Sequence, residues 1–344
     1  MAAKCDLGTG EEWRAKEEEL AHRFEPVLRF AKGENFFPMK VEGYVERCSL
    51  HAMEAGRGQM LIPPPYVDLQ ALAEFPSQRH YLVYANRRVA NPEDEEALRN
   101  WIERQKTVLG PDFRQFLGDL KSRLRGVGID LSRIFLPIGE PAEVVERAIE
   151  YYGGIDSHSP TYYYRVVEHG GYTVVQYWFF YAYDDFYTTH GGVNDHEADW
   201  ECVHLFFKTA KPVWASYSSH LRSGTQIGRP WDQVELEGDQ PVVYVAAGSH
   251  ANYHIPEEHL PDKAFVPGNV VVGGSSGTPW DEPEPMDRPW FTKFEGRWGE
   301  YESGDLRSKF VAMVGGPPTG PKFDRDGGIR KKWNQPAKYA GLIR

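Results

Sequence analysis

The chain has 344 residues and a formal net charge of −11, with 39 basic and 50 acidic side chains. This acidic balance argues against nucleic acid as a partner, because a phosphate backbone attracts a positive field. Hydrophobic residues make up 41% of the chain, no apolar run is long enough to span a bilayer, and the first residues lack the apolar core of a signal peptide. We therefore expect a globular, cytoplasmic protein with no transmembrane segment and, from its odd number of scattered cysteines, no disulfide.

The N-terminal residues 11–24 place Trp13, Leu20 and Phe24 among charges, which predicts one amphipathic helix and a helical arm over residues 1–24. The Pro- and Gly-punctuated segment 26–50 and the run at 80–85 favour short strands. A helical pattern follows Asn91-Pro92, where a cap residue precedes a proline, and this pattern predicts a helical insertion at about residues 91–150. The sequence allows two placements of this insertion: over the predicted ligand pocket, or over an outer face of a sheet.

Residues 161–207 contain the longest β-type pattern in the chain. Two aromatic and β-branched runs are joined by His169-Gly170-Gly171, which predicts a hairpin. The run at 174–183 has no polar face, so we expect a central strand that is buried on both sides. Further strands are predicted at 199–208, 213–220 and 242–248. The predicted fold is mainly β: one antiparallel, jelly-roll-like β-sandwich over residues 25–336, with the helical insertion, the N-terminal helix and a tail at 337–344.

The segment Asp195-His196-Glu197-Ala198-Asp199-Trp200-Glu201 contains the densest cluster of candidate metal ligands. If a strand begins at Asp199, alternation points Asp199 and Glu201 to one face, above an apolar stripe. Two buried carboxylates need a cation, a metal or hydrogen-bond donors, and the preceding strand ends close by at Asp184-Asp185. Oxygen ligands with one imidazole favour Mg, Ca or Mn over Zn. The alternative is that both acids cap the strand and pair with Arg165 or Lys208 on the surface.

Two other histidines, His220 and His250, follow small residues at the ends of predicted strands. Side chains at such positions can face a cleft, so both are candidate proton-transfer groups, although a histidine at a strand end is more often a turn residue. Ser249-His250 also invites a nucleophilic mechanism, but no GxSxG elbow accompanies it.

Several motifs resemble those of the family named after vacuolar protein sorting protein 62. They are YWFFY at 177–181, HEADWE at 196–201, SH at 219–220 and VYVAAGSHA at 243–251, flanked by FEPVLRF at 24–30 with Glu34, and by GRWG at 296–299. The resemblance spans about residues 24–336. The family is mostly of unknown function.

A more distant resemblance is to the necrosis-inducing proteins of plant pathogens. Their Gly-His-Arg-His-Asp-Trp-Glu motif matches His196, Asp199, Trp200 and Glu201 and differs at the intervening positions. Those proteins are β-sandwiches with a divalent ion near this motif, and they bind sphingolipid headgroups. The resemblance implies a metal at Asp199, Glu201 and His196, with Asp185 or Asp184 as the upstream acid.

Three functions fit these patterns. The first is a metal-dependent enzyme, hydrolytic in type, in which His220 or His250 transfers a proton. The second is a binding module whose ion contacts a small-molecule, lipid-headgroup or glycan ligand without catalysis. The third makes the ion a structural staple for long loops. The distance of His220 and His250 from the metal would separate the first two, because a pure binding site needs no group that titrates near neutrality.

Overall fold

A computed structural model describes residues 10–31, 34, 36–54, 57–63, 66–84, 160–184, 196–218, 228–246, 248–256, 258–259, 269–270, 280–299 and 317–344. The predicted helical insertion at 91–150 lies outside the described residues, as do Asp185 and His220. The two cysteines in the described part, Cys48 and Cys202, are buried and unpaired. No helix in this part of the chain is long and apolar enough to cross a bilayer.

Strands dominate the described residues. They are β1 Val27–Phe30, β2 Cys48–Glu54, β3 Arg57–Ile62, β4 His80–Tyr84, β5 Tyr163–His169, β6 Tyr172–Asp184, β7 His196–Lys208, β8 Lys211–Tyr217, β9 Gly228–Pro230, β10 Leu236–Glu237, β11 Gln240–Val245, β12 Asn252–Tyr253, β13 Glu258–His259, β14 Asn269–Val270 and β15 Glu284–Pro285. The helices are α1 Gly10–Arg23, α2 Val41–Val45, α3 Leu69–Glu74, α4 Pro289–Lys293, α5 Lys331–Asn334 and α6 Pro336–Tyr339, and a short 3-10 turn spans Trp231–Gln233.

The largest sheet has six strands in the order β15-β5-β6-β7-β8-β9, and its long strands form antiparallel hairpins. The predicted hairpin is confirmed: β5 and β6 are joined by Gly170 and Gly171, both with positive φ, at 63° and 80°. Two central turn residues with positive φ suit the right-handed twist of a two-residue hairpin. The next turn, between β7 and β8, has the same geometry but uses Thr209 and Ala210, at 49° and 60°.

The six-stranded sheet is covered on both faces, as the pattern of β6 predicts. Val175, Tyr177 and Phe179 pack with Leu28 of β1 and Val243 of β11 in one core. These two strands belong to a second sheet, in which β11 pairs with β1, β10 and β12. Two sheets with a shared apolar core confirm the predicted mainly β sandwich. The pairings of β1 with β11 and of β15 with β5 are parallel, so the sandwich is not wholly antiparallel.

The opposite face of the six-stranded sheet bears a third layer. Trp178 and Phe180 of β6 pack there against residues of α2, α4 and α5 and of the three-stranded sheet β3-β2-β4. Alternation along one strand therefore supplies both cores, one residue to each side in turn. The C-terminal segment closes this face, where Ala337 and Ala340 are fully buried with Phe206.

Candidate metal centre

The candidate site lies at the end of the sandwich where β6 stops and β7 starts. Asp184, Asp199 and His250 each place one ligand atom so that these atoms lie within 4.8 Å of one another, and all three residues are buried. They come from three separate parts of the chain: the end of β6, the start of β7 and the turn after β11. This is a compact set of two carboxylates and one imidazole.

The predicted alternation along β7 is confirmed. Asp199 pairs with Tyr181 in the β6–β7 ladder, and beyond Glu201 the same side of the strand continues as Val203 and Leu205 into the core shared with β1 and β11. Ala198 interrupts the regular strand with φ of 56°, a left-handed conformation that L residues adopt at a cost. Asp184, which simple alternation would place on the other face, nevertheless has a carboxylate oxygen within 4.8 Å of the ligand atoms of Asp199 and His250.

His250 is enclosed by the site and does not open to solvent. Its ring stacks on Tyr181 with centroids 3.8 Å apart and planes 3° apart, and its exposure is 0%. Nδ1 lies 3.1 Å from Asp199 Oδ2, and Nε2 lies 3.5 Å from Glu34 Oε1. Burial disfavours the imidazolium, but the Glu34 charge and the Asp199 hydrogen bond outweigh it and raise the pKa of His250 to about 10.

Glu34 is a member of this cluster that sequence reasoning did not assign to the site. Its carboxylate is buried and accepts hydrogen bonds from the backbone N–H of Phe36 at 2.8 Å and of Gly248 at 2.7 Å. Burial opposes its charge, yet the facing His250 holds the pKa of Glu34 below its usual range. The sequence signal for Glu34 was its position just after the FEPVLRF motif at 24–30, because that motif leads into the loop after β1.

Glu201, a predicted ligand, is held by a hydrogen bond from Ser218. The Ser218 Oγ donates to the Glu201 carboxylate and accepts from the Cys202 N–H at 2.8 Å and from Asn252 Nδ2 at 3.1 Å. Burial and the neighbouring Asp199 charge raise the pKa of Glu201 to about 8. For Asp199, burial alone would raise the pKa, but the His250 hydrogen bond and charge keep it below its usual range.

His196 lies beside the cluster, opposite Asp184 in the β6–β7 ladder. Its Nδ1 is 2.8 Å from the Ala198 carbonyl oxygen, so this nitrogen donates, and Nε2 lies 3.5 Å from Asp184 Oδ2. Burial lowers the pKa of His196 and favours the neutral ring. A metal-binding histidine usually donates one ring N–H to a carbonyl or carboxylate and keeps the other nitrogen for the ion, and Nδ1 of His196 meets the first of these conditions.

The alternative that Asp199 and Glu201 pair with surface cations is wrong. Arg165 stacks on Trp333, and the Lys208 ammonium lies over the Tyr172 ring, so neither cation neutralises Asp199 or Glu201. Asp199 is buried and Glu201 is partly buried in a cluster with imidazoles, which is instead the environment in which a bound cation offsets the cost of desolvating like charges.

Taken together, the fold and the cluster define a mainly β sandwich protein with a buried carboxylate–imidazole site. The chain is similar to TDA6 of Saccharomyces cerevisiae (strain ATCC 204508 / S288c), provisionally named as vacuolar protein sorting-associated, with 28% identity over 247 residues, 57% of this chain and 52% of the yeast protein. The chain thus spans about half the length of this relative. The match confirms the predicted resemblance to vacuolar protein sorting proteins. No family model matches the chain.

Two solved structures belong to the other class that the sequence resembles. Necrosis and Ethylene inducing Protein 2, from the causal agent of cocoa's Witches Broom disease, is 18% identical with a TM-score of 0.26, covering 38% of this chain and 53% of that one. NLPPya in complex with glucosamine is 14% identical with a TM-score of 0.27, covering 54% and 69%.

Proposed function

We propose that this protein binds a divalent cation through Asp184, Asp199 and His250, and that the cation recruits an oxygen-rich ligand. The observation that supports the proposal is the convergence of these three ligand atoms within 4.8 Å in a buried place. His196 and Glu201 lie on either side of this trio and stay predicted ligands of the same ion. Asp185 stays a predicted alternative to Asp184.

The donor set fits a hard or borderline ion. Carboxylate oxygens outnumber imidazole nitrogens, and no cysteine of the described part belongs to the trio, so Mg, Ca or Mn suits the site better than Zn. When bound, such an ion supplies positive charge that polarises an oxygen of a ligand or of water. The chain's own part is to hold the ligands in place. The ring of His250 lies between Asp199 and Glu34, and it would bind the ion as the neutral imidazole, after losing the proton that these two carboxylates favour.

The geometry favours binding over hydrolysis. A proton-transfer group must reach the substrate, whereas His250 is fully buried, stacked on Tyr181 and flanked by two carboxylates. We therefore assign His250 no proton-transfer role and propose a cation-dependent site for a glycan, a lipid headgroup or another polyhydroxylated small molecule. Metal-dependent hydrolysis is the competing function, and its proton-transfer group would be His220, outside the described residues.

Metal analysis of the purified protein tests the first half of the proposal. We expect about one divalent ion per chain by native mass spectrometry, and a rise in melting temperature on adding Mg, Ca or Mn. Asp199→Asn should abolish both, while Asp281→Asn, at an exposed acid, should abolish neither. If the purified protein contains no metal and its melting temperature does not change on adding Mg, Ca, Mn or Zn, the site is disproved.

Ligand binding tests the second half. The protein should bind to glycan arrays or to vesicles containing sphingolipid headgroups when metal is present. Chelation of the metal with EDTA should abolish this binding, and adding the metal back should restore it. Incubation with chromogenic esters and glycosides should give no turnover. Metal-dependent turnover that disappears in His220→Ala would establish hydrolysis instead.

A further inference from the structure

The imidazole of His250 is held in one orientation by contacts on several sides. Its ring stacks face to face on Tyr181, and its backbone has φ of 51°, in the left-handed region that L residues adopt at a cost. The backbone N–H of His250 donates to the Ala246 carbonyl oxygen at 3.2 Å and closes the turn after β11. The two ring nitrogens therefore face fixed partners, Nδ1 facing Asp199 at 3.1 Å and Nε2 facing Glu34 at 3.5 Å.

The carboxylate of Glu34 is itself fixed by backbone groups of two segments. Its side chain is 2% exposed. Oε1 accepts the N–H of Phe36 in its own loop, and Oε2 accepts the N–H of Gly248, two residues before His250. These donors are neutral amide groups, so they hold the carboxylate in place without cancelling its charge. Glu34 is therefore anchored to the same turn whose imidazole it faces.

The two carboxylates beside the ring differ in their relation to the candidate cation site. Asp199 belongs to the trio of converging ligand atoms, whereas Glu34 is not one of the three residues. A metal-binding histidine usually donates the N–H of one ring nitrogen to a carboxylate or a carbonyl and binds the ion through the other nitrogen. Glu34 occupies the place of that acceptor, because Nε2 of His250 faces it while Nδ1 faces a member of the trio.

We propose that Glu34 is a positioning residue of the cation site: it accepts the Nε2–H of His250 and so leaves Nδ1, the nitrogen beside Asp199, to bind the ion. This inference rests on the function proposed above, because it needs an ion at Asp184, Asp199 and His250. The charge of Glu34 also favours the ion over the proton that the ion displaces from Nδ1, because a divalent ion brings two positive charges in place of one. Glu34 thus supports the ion through His250 without being a ligand.

Calorimetric titration of the full-length chain with Mg, Ca and Mn measures how Glu34 affects the affinity for the ion. Loss of the carboxylate partner of a ligand histidine typically weakens metal binding about 10- to 100-fold, so we expect Glu34→Gln to raise the Kd about tenfold or more. The matched control is Asp68→Asn. Asp68 also accepts a backbone N–H, that of Ala71 at 2.7 Å, but it does so at the start of α3, and the control should bind the ion as wild type does.

The position of the ring proton is a readout that a merely structural role would not move. In wild type loaded with Mg or Ca, nitrogen NMR spectra of the histidine rings should place the proton of His250 on Nε2 and none on Nδ1. In Glu34→Gln the Nε2–H resonance should move upfield, because an amide oxygen is a weaker acceptor than a carboxylate. The melting temperature of this variant in EDTA is measured first, and if the variant does not fold, the ring spectra of wild type decide the test.

The outcomes separate this inference from the function on which it rests. Equal Kd values for wild type and Glu34→Gln, equal losses in Glu34→Gln and Asp68→Asn, or a loaded ring with its proton on Nδ1 would each overturn the role of Glu34 while wild type still binds the ion. Wild type that binds none of the three ions would overturn the role of Glu34 together with the proposed function.

Discussion

Ser218 joins three strands through one hydroxyl group, and its removal tests how the acidic end of the sandwich is held. The Oγ accepts from the Cys202 N–H on β7 and from Asn252 Nδ2 on β12, and donates to Glu201. In Ser218→Ala, two buried donors lose their acceptor and a partly buried carboxylate loses a donor. Each unsatisfied buried group costs about 1–3 kcal/mol, so with partial relaxation we expect a loss of about 3–5 kcal/mol in the free energy of unfolding.

Urea unfolding followed by circular dichroism measures this loss, and the midpoint should fall at unchanged slope. The matched control is Ser216→Ala. Ser216 is also buried, two residues earlier on β8, and no described hydrogen bond involves its side chain. The control should lose less than about 1 kcal/mol. If Ser218→Ala is as stable as Ser216→Ala, the hydroxyl does not hold the three strands together and the reasoning fails.

Three further variants test the sheet itself, each by urea unfolding. Trp178→Ala should cost about 3–5 kcal/mol, because the indole is fully buried in the third-layer core; unchanged stability with altered ligand binding would move Trp178 from the core to a site. The double substitution Thr209→Asn with Ala210→Gly should stabilise by about 1–2 kcal/mol, because both residues have positive φ, and a destabilised variant would contradict that geometry. Burial, and then the charges of Lys332 and Arg165, lower the pKa of His204 to about 3. His204 therefore stays neutral in the folded protein, whereas in the unfolded chain it takes up a proton near pH 6.5. Stability should therefore fall as pH drops from about 6.5 towards 3, by up to about 1.4 kcal/mol per pH unit, and His204→Gln should reduce that slope; an equal slope would refute the assignment.

The local β patterns were predictable because they depend on neighbours in the sequence. Alternation along β7 placed Asp199 and Glu201 on one face, and Gly170-Gly171 specified the hairpin, since period and turn chemistry are properties of a few consecutive residues. The apolar run of β6 likewise predicted burial on both faces, and the two separate cores around Tyr177 and Trp178 confirm it.

The composition of the acidic cluster was less predictable, because it depends on long-range pairing. Glu34 faces His250 only because β1 and β11 lie side by side, and no local pattern specifies a parallel pair between distant segments. Asp184 lies near Asp199 although alternation along β6 would place its side chain on the other face. The enclosure of His250 followed from its stack on Tyr181, another contact between elements far apart in the chain.

The parallel pair of β1 with β11 also has a consequence for the order in which the chain folds. Val27 meets Val242, so more than 200 residues must be synthesised before β1 finds its partner. At about 5–20 residues per second this takes roughly 10–40 s, during which the apolar side chains of β1 have no second sheet to join. Closing so large a loop costs entropy before any contact offsets it, which makes this step slow. A nascent chain stalled before β11 would therefore expose Leu28 and Phe30, and it would be a natural client for a holding chaperone.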